Sequence, residues 1–220
     1  MRAGSGDDMQ KFTQVTGIAA PLLKANIDTD VIIPVKRLIG YQRHELGAFA
    51  FEAYRFRPDG SENPDFVLNQ PRYRDARILV TGENFGCGSS RESAVWALAS
   101  FGFRCIIAPG FGDIFANNAF QNGLLLIVLP KAQVERIAGE AESGQAPVMT
   151  VDLEATTITA PSGERMLFEI DSERRQALLE GRDEISMTLM RDADIRAFQE
   201  RDRVARPWIY HTTPHGVSRI

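Results

Sequence analysis

Between residues 76 and 130 the apolar positions alternate between short continuous runs and helical periods. Arg77-Ile-Leu-Val-Thr81, Arg104-Cys-Ile-Ile-Ala108 and Leu124–Leu129 are compact apolar runs bounded by Gly or Pro, the pattern of buried strands. Arg91–Phe101 and Asp113–Gln121 carry helical spacing between them, with Asp113 as a candidate cap and Gly123 as a stop. The first strand, helix and second strand form a βαβ unit of ~30 residues, which favours parallel pairing. Upstream, residues 11–40 open with alternating apolar positions. Val31-Ile-Ile33, stopped by Pro34, predicts a further strand behind an Asx/Thr turn.

Residues 41–76 are broken by Arg57-Pro-Asp-Gly60, Asn63-Pro64 and Gln70-Pro71, and read as an irregular excursion over the surface. A helix is expected over 132–142. Beyond Pro147 the period shortens again, predicting strands at Met149–Leu153, Thr157–Ala160 and Met166–Ile170, the last two joined by Pro161-Ser-Gly-Glu164. Ser172–Glu180, with Gly181 as its stop, and Asp192–Arg203 read as helices. The expectation is an α/β protein built on a mixed sheet with flanking helices. Its divisions are a flexible leader (1–10), one domain (11–210, with the 41–76 excursion and C-terminal helices at 172–204) and a tail (211–220).

Composition narrows the function. A 220-residue chain holds a substantial core, and a formal net charge of −4 without a Lys/Arg cluster argues against a nucleic-acid partner. No apolar run approaches the ~18 residues of a membrane span, and the N-terminus has no apolar signal core, so a cytoplasmic location is expected. The only cysteines are Cys87 and Cys105, and the only histidines His44, His211 and His215. That is too few thiols for an iron–sulfur cluster and offers no zinc-like set, so any metal chemistry must come from another chain. Cys105, inside a strand pattern, reads as an apolar filler.

The candidate chemistry lies in Gly82-Glu-Asn-Phe-Gly-Cys-Gly-Ser-Ser-Arg-Glu92, between a strand and a helix. Its glycines allow a sharp turn, and two hydroxyls and a guanidinium arrive near a helix start, where free N–H groups and the dipole favour an anion. A plain capping box, Ser89 at the N-cap and Glu92 three residues on, is the structural alternative and is compatible with the functional reading. A P-loop would need a lysine here. A dinucleotide loop would need glycine where Arg91 stands, and a serine hydrolase would need an elbow and a placed histidine.

These segments, with Asn26-Ile-Asp-Thr-Asp-Val-Ile-Ile-Pro34, Ile107-Ala-Pro109, Asn122-Gly-Leu124, Asn63–Tyr73 and Pro207-Trp208, resemble the family of bacterial 3-isopropylmalate dehydratase small subunits in the aconitase superfamily. The resemblance spans roughly residues 11–210. It implies the swivelling β/β/α domain of that superfamily and reversible dehydration–rehydration of a hydroxy diacid in leucine biosynthesis. It further implies a large subunit bearing a [4Fe-4S] cluster, with no cluster on this chain. By position Ser89 would be the base, with Ser90 and Arg91 on the substrate carboxylate. Asp30 would lie at the site and Arg43 would contribute to substrate recognition. For Asp30 the residues alone suggest a turn-capping aspartate, which is also the reading for Asp28. For Arg43 they suggest a solvated loop charge.

Ser93 stands where the family usually has histidine, and Val95 where proline is common. Leu38-Ile-Gly-Tyr-Gln-Arg-His-Glu-Leu46 departs from the usual basic loop, which keeps a paralogue acting on another 2-alkylmalate (methylmalate/citraconate or dimethylmalate) as an alternative. A non-catalytic anion-binding module is the third reading, separable from the others by replacing Ser89.

Overall fold

The computed structural model describes residues 9–144 and 146–210. The expected tail at 211–220 and most of the expected leader at 1–10 lie outside the described residues. Two compact units divide the chain after Asp183.

The first unit is built on a seven-stranded mixed sheet of order β4-β3-β2-β1-β5-β6-β7. Its strands are β1 (Gln14–Leu22), β2 (Ala76–Thr81), β3 (Cys105–Ala108), β4 (Leu125–Val128), β5 (Val148–Asp152), β6 (Thr157–Thr159) and β7 (Arg165–Leu167). The first four pair in parallel; β5, β6 and β7 add antiparallel from the other side of β1. The helices of this unit are α1 (Thr29–Ile32), α2 (Glu52–Arg55), α3 (Glu92–Phe101), α4 (Asp113–Gln121), α5 (Lys131–Ser143) and α6 (Ser172–Glu180).

Both faces of the sheet are buried at its centre, which is why β2 and β3 read as near-continuous apolar runs rather than alternating ones. Successive residues of one strand go to opposite cores. Ile78 and Val80 join Cys105, Ile107 and α5, while Leu79 joins Ile106, α1, α3 and α4. The expected surface excursion is a correction: Leu46, Ala50, Phe51, Phe66, Leu68 and Tyr73 are buried and complete the second core. Its Pro and Asn residues prevent long helices without preventing burial, so the segment folds as short turns. Gly47 shows how close the packing is, since a Cβ there would sit 2.5 Å from the Phe101 backbone nitrogen of α3.

Val31-Ile-Ile33 is a second correction. The run lies in and just after helix α1, not in a strand, because the Asp28 carboxylate accepts from Val31 N (2.8 Å) and caps the turn. Phe51 N donates to Ile32 O, which fixes the turn against the buried excursion. Asp113 does not cap α4: Gly112 occupies the N-cap and Asp113 lies in the first turn. Asp171, by contrast, caps α6 through Arg174 N at 2.9 Å, and Gly181 closes it at φ +70°.

The second unit holds α7 (Glu184–Leu189), α8 (Asp192–Ala205) and a 3-10 turn at Pro207–Ile209. Asp202 closes it, accepting from Tyr210 Oη (2.8 Å) and Arg206 Nε (2.6 Å). No helix among the described residues is long and apolar enough to cross a membrane.

Candidate active site

The parallel strands β1, β2 and β3 end at the same edge of the sheet, where their loops 23–28, 82–91 and 109–112 meet. Parallel sheets collect ligand-binding loops at this carboxyl edge. Parallel pairing continues past the strands as isolated bridges, Asp28 with Cys87 and Phe85 with Phe111. Gly86 N donates to Ile27 O (2.7 Å), Thr29 N to Cys87 O (3.0 Å) and Gly112 N to Phe85 O (2.9 Å), so the middle loop is held from both sides. Gly86 and Gly88 sit at φ +73° and +91°, the left-handed region that glycine adopts at least cost. At Gly86 there is a second constraint, because a Cβ would lie 2.2 Å from the ring of buried Phe115.

The loop therefore delivers Ser89, Ser90 and Arg91 to the surface at the start of α3. Both serines are exposed and Arg91 is partly covered. The capping box expected here does not form: Arg91, not Ser89, is the N-cap residue of α3, and it makes no side-chain cap. Thr29 Oγ1 donates to Ser89 O (3.2 Å), and Arg91 N donates to the same oxygen (2.8 Å), a tight turn after which α3 begins only beyond Arg91. The hydroxyl of Ser89 is thereby released from helix capping. Instead it accepts from Arg91 Nη2 at 3.2 Å.

Asp30 and Arg91, far apart in sequence, form a bidentate ion pair: Nη2 donates to Oδ2 at 2.7 Å and Nη1 to Oδ1. The hydrogen-bonded guanidinium holds the Asp30 carboxyl below its ordinary value, and the Asp30 carboxylate in turn raises that of Arg91. Asp30 is thus not a turn cap, a role that belongs to Asp28. Among the described residues Arg91 Nε makes no hydrogen bond, which leaves that N–H as an uncommitted donor.

Arg43 is in the turn Arg43–Phe49 that packs on α3. Its guanidinium lies 5.1 Å from the centre of the Trp96 ring and donates to Asn122 Oδ1. Asn122, which sequence reasoning treated only as part of a motif, also accepts from Trp96 Nε1 (3.1 Å) and donates to Glu92 Oε1 (2.9 Å). Cys87 is half-buried beside the serines, whereas burial pushes the Cys105 thiol up. No group of three or more His, Cys, Asp or Glu able to hold a metal occurs among the described residues.

A serine pair and an ion-paired arginine at the carboxyl edge of a doubly covered mixed sheet belong to a recognisable class. The family model of the aconitase C-terminal domain matches residues 9–132, and LeuD_N matches residues 135–172. The chain is 53% identical over 201 residues to the 3-isopropylmalate dehydratase small subunit of Dinoroseobacter shibae, covering 91% of this chain and 100% of that protein. The corresponding subunit of a Jannaschia species is 54% identical over the same coverage. A crystal structure of 3-isopropylmalate dehydratase from Methanocaldococcus jannaschii superposes with a TM-score of 0.61 at 26% identity, covering 84% of this chain and 99% of that one. The chain belongs to the family of 3-isopropylmalate dehydratase small subunits.

Proposed function

We propose that this chain supplies the base and the carboxylate clamp of a two-subunit hydro-lyase that interconverts 2-isopropylmalate and 3-isopropylmalate in leucine biosynthesis, in the cytoplasm. The observation that carries the reading is the chain Asp30–Arg91–Ser89. A guanidinium fixed by one carboxylate reaches a serine oxygen that is free of capping duty. The proton to be removed is α to a carboxylate and weakly acidic. Negative charge must therefore be met both on the serine and on the substrate.

In this reading Ser89 Oγ, as alkoxide, takes the proton. The C–H electron pair forms the C=C bond as the neighbouring C–O bond breaks and its electron pair leaves with the hydroxyl as hydroxide. In rehydration hydroxide adds to the carbon that lost the proton, and Ser89 Oγ returns its proton to the other carbon. Ser90 and the uncommitted Nε–H of Arg91 hold the substrate carboxylate through charge-assisted hydrogen bonding. Asp30 repels a dianion, so its role is to orient Arg91 rather than to contact the substrate. Arg43 serves substrate recognition. The electrophile for the hydroxyl is left to the larger subunit, where a [4Fe-4S] cluster is expected. The names of the relatives support isopropylmalate over another 2-alkylmalate despite the unusual 38–46 loop.

The test is reconstitution with the large subunit. Ser89→Ala should lower turnover by at least ~10²-fold, while the two chains still co-purify. Near-normal turnover would overturn the assignment of the base. A co-expression pull-down should bring down a larger, brown, oxygen-sensitive partner, and activity without one would overturn the two-subunit reading. Rates across a series of 2-alkylmalates fix the substituent.

A further inference from the structure

The Asn122 side chain is fully engaged. Its Oδ1 accepts from Arg43 and from Trp96 Nε1 (3.1 Å), and its Nδ2 donates to Glu92 Oε1 (2.9 Å) and to Asn118 O (2.8 Å). Trp96 adds a second hydrogen bond to Glu92 Oε1 (3.3 Å) and places its ring 5.1 Å beneath the Arg43 guanidinium. Three elements meet here: the turn that begins at Arg43, the first turns of α3, and the C-terminus of α4. Glu92 is the residue directly after Arg91. Asn122 and Trp96 are both partly buried, and the Trp96 ring packs against the core on one side while it meets the Arg43 guanidinium. A hydrogen-bonded amide and a stacked indole restrict a long, otherwise rotatable side chain to one direction.

We propose that Trp96 and Asn122 are positioning residues that aim the Arg43 guanidinium at the substrate, and that through Glu92 they tie its placement to the helix start that carries Arg91. This rests on the reading of Arg43 as a recognition residue. Arg43 keeps donors beyond the one committed to Asn122, so it can serve a substrate oxygen while held.

The experiment is steady-state kinetics of the reconstituted two-subunit enzyme carrying Arg43→Ala, Asn122→Ala, Trp96→Leu or the conservative Trp96→Phe, with each of the last three also combined with Arg43→Ala. Misplacement of a clamp raises KM, so Asn122→Ala and Trp96→Leu should each raise KM about 10-fold with kcat little changed. Trp96→Phe, which keeps a ring under the guanidinium, should recover part of the loss. In the Arg43→Ala background the same changes should add nothing, because they act through Arg43. Additive effects, or parallel losses of kcat and thermal stability in all three variants including Trp96→Phe, would overturn the inference and leave a structural brace. An Arg43→Ala enzyme with unchanged KM would overturn both the recognition role of Arg43 and the inference. If Ser89→Ala alone stays active, it is the assignment of the base that fails.

Discussion

Gly86→Ala, read against Gly88→Ala, tests whether packing or backbone conformation fixes the serine loop. Both glycines have left-handed φ, +73° and +91°, so an alanine at either position bears the cost of that region, roughly 1–2 kcal/mol. The sites differ in what the new methyl meets. At Gly88 the nearest atom is Asp28 Cβ at 3.4 Å, an ordinary contact. At Gly86 the Cβ would lie 2.2 Å from Cγ of Phe115, and neither side can yield easily. Phe115 is buried and packs edge-on against Phe85 at 5.5 Å, while Gly86 N is tied to Ile27 O at 2.7 Å. Overpacking a filled core adds about 1–3 kcal/mol. Gly88→Ala should therefore cost ~1.5 kcal/mol and Gly86→Ala ~3.5 kcal/mol, combining the left-handed and overpacking contributions. Thermal unfolding of the isolated chain should show falls in Tm of about 4 °C and about 10 °C respectively. Equal shifts for the two variants, or a Gly86→Ala loss under about 1 kcal/mol, would refute the claim that Phe115 sets the course of the loop.

Three further outcomes follow from the same structure. Hydrogen bonds from Arg37, then from Lys36, lower the Glu52 carboxyl from 4.5 to about 2, so this pairing stabilises the fold above pH 4.5 and the contribution disappears as pH falls toward 2. Urea midpoints of Glu52→Gln should accordingly depend less on pH across that window than those of the parent; identical pH profiles would contradict it. Tyr73→Phe removes a buried donor to Ala141 O at 3.0 Å, but Arg72 Nη2 still donates to the same oxygen at 3.2 Å. The loss in urea unfolding should thus stay near 1 kcal/mol, and a cost above about 3 kcal/mol would mean the carbonyl is left unsatisfied. Native alkylation should label Cys87 and spare Cys105, which is fully buried with its thiol pushed up. Intact-mass spectra should show one adduct before denaturation and two after.

The legibility of the sequence followed the range of the interactions involved. Strands β2, β3 and β4 and helices α3, α4 and α6 were readable because each carries its own signal: a two-faced apolar run, a helical period, or a stop such as Gly181. The Val31-Ile-Ile33 run misled because four or fewer β-branched residues do not outweigh an Asx cap with a buried partner. At Ser89 three residues in a row could begin the helix by local rules. The choice was made with Thr29, sixty residues away, whose side chain and backbone N–H bond the carbonyls of Ser89 and Cys87. The excursion looked superficial because Pro and Asn are surface residues on average, while its Phe, Leu and Tyr are part of one core.

The amino-acid order by itself determined that a glycine loop would turn two serines and an arginine toward the start of a helix, and that a chain with two cysteines has too few thiols for a cluster of its own. Those are matters of backbone freedom and ligand count, both local. Only the tertiary structure decided that Asp30 holds Arg91, that Arg91 reaches Ser89, and that Trp96 and Asn122 hold Arg43. The contacts of Asp30 with Arg91 and of Arg43 with Trp96 and Asn122 join residues on separate elements, and no periodicity records where the ends of separate strands will meet.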